Sequence, residues 1–327
     1  MLRAALFCAV AVALLLIGLW VIDRWQQDEY KEVRGTDTDE FMQSGSVVWN
    51  GEKYKKIPAV TTILIAGIDQ EVSSQSSDST NRYRNGGQAD FLLLAAVDST
   101  NRQVHMLQID RDTMTDVMTL SVFGRETGTR LLQICLAHNY GYSKDDNAKY
   151  TVRAVQNLVN GIDINSYYMV SYSAIPMLND ALGGVQVTVP DDMTAVNPAW
   201  TAGAKVTLQG DEAETFVRAR KTVGEGTNEE RMRRQSEFIR QALSQLGNAL
   251  NEETQTAERL LKTLRRSAAT NIRDADLLTI LSNAASYELL PIEYLEGEHK
   301  IGSDGFMEFH MKENSGWEWV LRHLYTK

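Results

Sequence analysis

The strongest constraint on this chain is an apolar run close to its N-terminus. Residues 4–22, "AALFCAVAVALLLIGLWVI", include no charged side chain. A helix rises about 1.5 Å per residue, so this run is long enough to cross a hydrocarbon core of roughly 30 Å. The bulky and charged segment that follows, "DRWQQDEYKE", lacks the small residues of a signal-peptide cleavage site. We therefore expect a retained transmembrane anchor, and a cleaved signal peptide is the competing interpretation.

The charges around this run predict which side of the membrane the rest of the chain occupies. Arg3 precedes the run, whereas Asp23, Asp28 and Glu29 follow it. Because the basic flank of an anchor tends to stay in the cytoplasm, we expect the bulk of the chain to lie outside. The predicted organisation is a short cytoplasmic tail at 1–3, the anchor at 4–22, a tether or short hairpin within 23–60, and one domain at 61–327.

Composition limits the classes of partner that this chain can bind. Its 327 residues carry a formal net charge of -10, and the sequence pI is near 5.1. A general nucleic-acid binder usually has a basic face, so we expect no nucleic-acid partner. The two cysteines, Cys8 and Cys135, lie far apart and match neither a disulfide framework nor a metal-binding spacing.

The hydrophobic pattern from residue 61 onward predicts alternating strands and helices. Segments 61–69, 89–99 and 103–112 are short apolar runs that end in polar residues, as buried strands do. Residues 145–162 have the apolar spacing of a helix, with acidic residues at the start and a glycine near the end. This alternation predicts an α/β domain with three α/β/α layers around a mixed central sheet.

One segment of this acidic chain is rich in arginine. "FVRARKTVGEGTNEERMRRQ", residues 216–235, holds five arginines and one lysine. Arg231 and Gln235 are four residues apart and share one helix face. Arg218 and Arg220 are two apart, so they can face one ligand only where the helix ends. Two interpretations stay open: a solvated basic face, or guanidiniums that converge on a phosphate, which arginine binds with two parallel hydrogen bonds.

A second group of polar residues lies at the predicted strand ends. Asp69 closes the first strand, Asp90 opens the second, and "IDRDT" at 109–113 ends the third. Ligands of α/β sheets often bind at such strand ends. Carboxylate oxygens suit Mg²⁺, a hard ion, so Asp69 and Asp90 are candidate metal ligands with Arg111 beside them. An ordinary charged strand end is the alternative.

These segments occur in an order that resembles the LytR–CpsA–Psr family of bacterial cell-envelope proteins. The order is "ILIAGID", "ADFLLLAAVDS", "VHMLQIDRDT", "LAHNYG", "LNDALGGVQVTV", "LQGDEAETFVRARK" and "RMRRQ". The resemblance begins near the first predicted strand and continues to the C-terminus. It implies the transfer of a phosphorylated glycopolymer, such as a teichoic acid or capsular polysaccharide, from an undecaprenyl pyrophosphate carrier to peptidoglycan.

The resemblance also implies a role for each candidate residue. It places Asp69 and Asp90 at an Mg²⁺ cofactor, and it makes Asp112 a candidate proton acceptor. It assigns the phosphates of the substrate to four arginines and one glutamine: Arg111, Arg218, Arg220, Arg231 and Gln235. The catalytic set that it implies is Arg111, Asp112, Arg218, Arg220 and Arg231. The implied partners are the undecaprenyl-pyrophosphate-linked glycopolymer, the peptidoglycan acceptor and the cell membrane, with the domain on its outer side.

Two positions depart from the family pattern. Asp110 stands where the family usually has proline, and Asn228 stands where it often has aspartate. Asparagine cannot serve as a base or an anionic ligand, so we expect Glu225 or Glu229 to take over that work, or the reaction to be slower. Two alternatives to transfer therefore stay open: a non-catalytic protein that binds lipid pyrophosphate or regulates the envelope, and a polyprenyl-pyrophosphate hydrolase.

Overall fold

The computed structural model describes residues 45–70, 86–121, 126–141, 143–220, 223–249, 265, 268–273 and 287–327. The predicted anchor at 4–22 lies outside these residues. Within them, no helix is long and apolar enough to span a bilayer.

The strands and helices follow one another along the described chain. The strands are β1 (Ser46–Trp49), β2 (Glu52–Lys56), β3 (Val60–Ile68), β4 (Ala89–Asp98), β5 (Gln103–Ile109), β6 (Met114–Leu120), β7 (Glu126–Gln133), β8 (Ser166–Ser171), β9 (Gln186–Thr188), β10 (Lys205–Thr207), β11 (Ala268–Thr270), β12 (Glu288–Tyr294), β13 (Gly297–Ile301), β14 (Met307–Met311) and β15 (Tyr325–Thr326). The helices are α1 (Lys144–Leu158), α2 (Ala174–Ala181), α3 (Glu212–Arg218), α4 (Asn228–Ala249) and α5 (Ser315–Leu324), and a 3-10 helix spans Ile134–Asn139.

The central sheet has six strands in the order β11-β8-β3-β4-β5-β12. Strands β3, β4 and β5 are joined antiparallel, whereas β8 pairs parallel with β3 and β12 pairs parallel with β5. Strands β3 and β4 are buried along most of their length, because neighbouring elements cover both faces. The predicted α/β fold with a mixed central sheet is therefore confirmed.

Helices lie on both faces of this sheet. On one face, α1 and α5 pack with Leu64 and Leu92 of the sheet in a single hydrophobic core. On the other face, the Gln108 side chain of β5 accepts a hydrogen bond from the Ser236 hydroxyl of α4. A second core there joins α3 and α4, with α2 packed against it. The arginine-rich segment thus lies against the face opposite to α1 and α5.

The segment before β3 is part of the folded domain. Strands β1 and β2 form an antiparallel hairpin, and β2 also pairs with the C-terminal strand β15. The Trp49 ring packs edge-on against Trp317 of α5, with ring centroids 6.4 Å apart. Of the two options for the predicted tether, a hairpin is therefore what the structure has at residues 46–56.

Candidate functional site

The candidate site lies where β3, β4 and β5 come together at one end of the sheet. Because β4 is antiparallel to both neighbours, its first residues lie beside the last residues of β3 and β5. Strand β5 ends at Ile109, earlier than the predicted 112, because Asp110 and Thr113 form a turn. The Thr113 backbone N–H and hydroxyl both donate to the Asp110 carbonyl, at 3.1 and 2.6 Å. This turn places Arg111 and Asp112 beside Asp90.

Arg111 is the central cation of this sheet end. Its guanidinium donates to the Asp90 carboxylate and to the Gln88 side-chain carbonyl. Its Nη2 also lies 3.1 Å from the Cys135 sulfur, and its Nε lies 3.4 Å from Asp112 Oδ1. Burial raises the pKa of Cys135 to about 12 even with Arg111 beside it, so the thiol stays protonated and is not a nucleophile at neutral pH.

Arg231 brings a second guanidinium to the same aspartate from the first turn of α4. Its side chain is 7% exposed, and its Nη1 lies 3.5 Å from Asp90 Oδ2. Its Nη2 donates to the Asn228 side-chain oxygen at 2.5 Å. The Asp90 carboxylate therefore lies between Arg111 and Arg231, with one oxygen facing each of them.

Three buried polar atoms in this cluster have no hydrogen-bond partner among the described residues: Arg111 Nε, Asp112 Oδ2 and Arg231 Nε. Buried polar atoms are nearly always satisfied, so a group of unsatisfied ones calls for an explanation. Burial and the neighbouring Asp110 raise the pKa of Asp112, although Arg111, Arg220 and Arg231 pull it down. Two donors and one basic acceptor in one place are what a phosphate ligand with an incoming hydroxyl requires.

Arg218 and Arg220 lie at the end of α3, where the chain leaves the helix. Helix α3 ends at Arg218, and Ala219 is extended with φ −53° and ψ 132°. This ending removes the helical constraint that would otherwise turn the two side chains apart. The Arg220 Nε donates to the Gly226 carbonyl at 3.1 Å, and Arg220 is close enough to lower the pKa of Asp112. The structure thus brings Arg220 to the edge of the cluster.

Arg218 is the most exposed of the four predicted arginines, with 46% of its side chain accessible. It pairs with Glu214 at 2.6 Å, and its guanidinium lies over the Tyr172 ring, 5.4 Å from the centroid. The ring fits against β3 because residue 67 is glycine. A Cβ there would lie 2.6 Å from the ring.

Gln235 lies beside Tyr172 and Gln108 rather than within the Arg111 cluster. Its Nε2 is 3.3 Å from the Tyr172 hydroxyl, and its Oε1 accepts from Gln108 at 3.1 Å. The amide is therefore engaged by the protein at both ends, and it braces the tyrosine on which Arg218 rests. Its role in substrate binding remains a prediction.

The two predicted metal ligands lie at the same sheet end. Asp69 Oδ1 accepts from the Gln88 backbone N–H at 2.6 Å, and Gln88 in turn contacts Arg111. Across the described part of the chain, no group of three or more His, Cys, Asp or Glu side chains is placed to hold a metal ion. Mg²⁺ commonly uses one or two carboxylates and completes its shell with water and substrate phosphates. The donor chemistry of Asp69 and Asp90 fits that mode.

Sequence reasoning missed several residues of this region. Arg234 is fully buried and donates to the Ala219 carbonyl, which fastens the turn between Arg218 and Arg220 to α4. His299 contacts both Asp110 and Glu229. Neither residue has a local signal, because an arginine in a basic helix and a histidine in a short strand are ordinary. Only the fold brings His299 to Asp110.

Comparisons with known proteins identify the family of this chain. The sequence model of the LytR_cpsA_psr family matches residues 26–316. A relative named polyisoprenyl-teichoic acid–peptidoglycan teichoic acid transferase TagU, from Halalkalibacterium halodurans, is 28% identical over 165 residues. That match covers 50% of this chain and 46% of the relative, so the chain matches about half the length of that protein.

Solved structures show the same fold. The crystal structure of B. subtilis TagV superposes with a TM-score of 0.59 at 22% identity, covering 81% of this chain and 96% of that one. A structure described as TagT bound to LI-WTA superposes with a TM-score of 0.59 at 19% identity, covering 81% and 89%. The family match spans most of the chain, including every predicted site residue. The chain therefore belongs to the LytR_cpsA_psr family.

Proposed function

We propose that this protein transfers a phosphorylated glycopolymer from an undecaprenyl pyrophosphate carrier to peptidoglycan. The observation that carries the proposal is the cluster around Asp90, where Arg111 is partly buried and Arg231 is buried. The Nε of each is itself buried and has no hydrogen-bond partner among the described residues. A pyrophosphate supplies the acceptor oxygens that such donors need. The relatives TagU and TagV are named polyisoprenyl-teichoic acid–peptidoglycan teichoic acid transferases, which supports a polyprenyl-linked glycopolymer as the substrate.

The proposed reaction is a displacement at phosphorus. A hydroxyl oxygen of peptidoglycan forms a bond to the phosphorus that carries the glycopolymer. The P–O bond to the bridging oxygen breaks, and undecaprenyl phosphate leaves with that electron pair. Arg111 and Arg231 hold the phosphate oxygens. Arg220 and Arg218 neutralise the phosphate charge from the solvent-exposed edge of the cluster. Positioning and charge neutralisation supply most of the catalysis in such reactions.

Asp112 is the proposed acceptor of the hydroxyl proton. Its side chain is 6% exposed, and its Oδ2 is buried without a hydrogen-bond partner among the described residues. Burial raises the pKa of Asp112, which makes the carboxylate a stronger base than an exposed aspartate. Glu225 and Glu229 are the alternative candidates for the base. The buried position of Asp112 beside three arginines favours Asp112 instead.

Asp90 and Asp69 would hold the proposed Mg²⁺. When bound, such an ion neutralises charge on the two phosphates. Asp90 also fixes the spacing of Arg111 and Arg231, because it pairs with both. Asp69 fixes the Gln88 backbone, and the Gln88 side chain then receives Arg111.

The proposed location is the outer side of the cell membrane, with residues 4–22 as a single anchor. Lipid-linked substrate and peptidoglycan meet at that surface. A reporter enzyme fused after residue 35 should be active only outside the cytoplasm. Activity inside the cytoplasm would contradict this location.

Product analysis separates transfer from the two alternatives. The purified full chain would be incubated with a synthetic polyprenyl-pyrophosphate-linked saccharide and Mg²⁺, with and without peptidoglycan fragments. Transfer predicts a saccharide phosphate joined to peptidoglycan, formed only when the fragments are present. Equal release of polyprenyl phosphate in both reactions would indicate a hydrolase. Binding of the lipid without any turnover would indicate a non-catalytic protein.

A further inference from the structure

His299 lies between two carboxylates beside the candidate site. It is in the middle of β13, and its side chain is 20% exposed. Its Nε2 is 2.9 Å from Asp110 Oδ2, and its Nδ1 is 2.7 Å from Glu229 Oε1. A neutral imidazole has one N–H, whereas the imidazolium has two. Two acceptor carboxylates at hydrogen-bond distance therefore fit the charged ring.

The groups that face His299 from the surrounding elements favour the same state. Asp110 and Asp112 follow β5, Glu229 comes from α4, and the Phe309 ring of β14 lies 4.9 Å away. The hydrogen bond to Asp110 raises the pKa of His299 above its ordinary value, although burial opposes it. The negative charges of Asp110, Glu229 and Asp112 raise this pKa further. Below that pKa the ring is a fixed positive charge.

Asp110 is the acceptor that this charge supports. Its Oδ1 accepts from the Asn228 amide nitrogen at 2.6 Å and from the Asp112 backbone N–H at 2.8 Å. Burial would raise the pKa of Asp110, but the hydrogen bonds from His299, Asp112 and Asn228 lower it below the usual value. Asp110 is therefore ionised at neutral pH, and an ionised carboxylate can only accept hydrogen bonds.

The charge on Asp110 decides which way the Asn228 amide points. Because Asp110 accepts only, the amide nitrogen of Asn228 must face it, and the amide oxygen then faces Arg231. The opposite orientation would place an N–H₂ group against a guanidinium that is itself only a donor. The oxygen of Asn228 thus holds one end of Arg231, and Asp90 holds the other.

We propose that His299 and Asp110 are positioning residues, which hold Arg231 in its ligand-binding orientation through the Asn228 amide. Because asparagine carries no charge, we expected either that Glu225 or Glu229 replaces it or that the reaction is slower. In this proposal position 228 has a different role. Asp110 supplies the negative charge, and the Asn228 amide that it orients accepts the hydrogen bond from Arg231. The identity of the ligand that Arg231 binds rests on the proposed function. The series of hydrogen bonds from His299 through Asp110 and Asn228 to Arg231 does not.

The pH dependence of this arrangement follows from the sign of the His299 shift. As pH rises through the raised pKa of His299, the ring loses a proton and one of its two hydrogen bonds to a carboxylate. Asp110 then loses its charged neighbour, and the hold on Arg231 weakens. Affinity for a pyrophosphate ligand should therefore be highest below that pKa and should fall above it.

The test follows Arg231 and His299 by NMR in the full chain, labelled in arginine and histidine side chains. The Nε–H signal of Arg231 should be sharp at about pH 6 and should broaden with the same midpoint at which His299 loses its proton. His299→Gln should give the broadened Arg231 signal throughout. An Arg231 signal that ignores both the titration and the substitution would overturn the proposal, and the wild-type titration alone decides this if the variant does not fold.

Affinity for inorganic pyrophosphate provides the second readout. The ligand itself titrates, so each variant is compared with the wild type at the same pH. His299→Gln should bind about tenfold more weakly at about pH 6, one charge-assisted hydrogen bond being worth roughly that, and about equally well at high pH. A deficit that is constant with pH would show a merely structural role and would overturn the proposal.

The matched control is His310→Gln. His310 lies on β14 of the same hairpin and pairs with Glu308 at 2.7 Å rather than with Asp110. It should leave both readouts unchanged. Absence of pyrophosphate binding in every protein, with Arg231 still following His299, would reject the proposed function while the positioning proposal stands.

Discussion

A histidine lies beside a carboxylate near each end of β5, and the pKa values of these two histidines, His299 and His323, are shifted in opposite directions. After the strand, two carboxylates raise the pKa of His299. Near its start, His105 stacks on His323 with ring centroids 4.1 Å apart, and His323 lies 2.7 Å from Glu293. Burial and the His105 ring lower the pKa of His323 to about 4, although Glu293 opposes them.

The difference shows what decides the charge of a buried group here. At the His323 end the glutamate is shared, because it also accepts from Trp319 at 3.1 Å and from Arg322 at 2.6 Å. At the site end His299 contacts two carboxylates, Asp110 and Glu229, and the Asp90 carboxylate lies between Arg111 and Arg231. Burial therefore leaves the His323 end a neutral packing contact, whereas the site end is a cluster of paired charges. Changes at the site end should alter activity, and changes at the His323 end should alter stability.

The largest loss of transfer at the site end should follow removal of Mg²⁺ or of the Asp90 carboxylate. Chelation of Mg²⁺ should reduce transfer by about a hundredfold or more, since a bound metal supplies several kcal/mol to such reactions. Asp90→Asn should give a similar loss. Alanine is a poor choice at this position, because it would deprive Arg111 and Arg231 of the carboxylate that they share, and breaking such a pair costs about 3–5 kcal/mol. Equal turnover with and without Mg²⁺ would show that the reaction does not need this metal ion.

The next largest effect should come from the buried arginines. Arg231→Ala should lower transfer about ten- to a hundredfold, because a charge-assisted hydrogen bond contributes roughly 1.5–3 kcal/mol. The matched control is Arg233→Ala on the same helix, where the side chain is 51% exposed and pairs with Asp191. Lysine should rescue position 231 poorly, since it lacks the planar fork. Equal rates for the two alanine variants would mean that the basic helix is a solvated face.

Alanine substitutions of Arg218 and Arg220 should reduce transfer by amounts between those of Arg231→Ala and Arg233→Ala. Both were expected to bind phosphate, and the structure leaves the Arg218 side chain 46% exposed over Tyr172. We expect about a tenfold loss for Arg220→Ala, since Arg220 lies near Asp112, and a smaller one for Arg218→Ala. Steady-state kinetics of the two variants, with melting temperatures as the fold control, would rank them. A larger loss at Arg218 would place the phosphates farther out than the Asp90 cluster.

A pair of substitutions sharpens the contrast at the site end. Asn228→Asp alone would set two carboxylates at the 2.6 Å contact with Asp110, so they would share a proton and loosen Arg231. About a tenfold loss of transfer is expected. Combining it with Asp110→Asn should restore part of the rate, because one carboxylate and one amide again meet. Simple addition of the two losses would show that the contact does not couple to catalysis.

The smallest effect should appear at the other end of β5. The pKa of His323 is lowered to about 4, so the unfolded chain binds more protons than the folded chain between about pH 6.5 and pH 4. Stability should therefore decline as pH falls through that window. In His323→Gln the decline should be shallower by a few degrees of melting temperature, with transfer at neutral pH unchanged. A variant with the wild-type pH slope would mean that other groups set the acid stability.

The sequence predicted the strands of this fold well because their signal is local. The apolar runs at 61–69 and 89–99 correspond to β3 and β4 within one residue at each end. The run at 103–112 was too long, since a polar turn follows Ile109. No structure was expected for β6 and β7, whose ribbon is mostly polar and partly exposed. Exposed strands lack the hydrophobic pattern that identifies buried ones.

The candidate site was predictable only as a set of residue types. Strand-end positions placed Asp69, Asp90 and Arg111 together, and helix periodicity placed Arg231 on a face with Gln235. Periodicity could not show that Gln235 turns toward Gln108 and Tyr172. The contact between Asp110 and His299 joins residues 189 positions apart. Such contacts follow from sheet order and hairpin placement, which one sequence does not reveal.

The most direct test of the central claim is a crystal structure of the full chain with a short-chain prenyl-pyrophosphate-linked sugar and Mn²⁺ in place of Mg²⁺. We predict pyrophosphate oxygens within hydrogen-bond distance of the Arg111 and Arg231 guanidiniums, with Arg220 beside them. We also predict an anomalous Mn²⁺ signal at Asp90. A ligand bound along the exposed face of α4, at Arg233 and away from Asp90, would contradict the account.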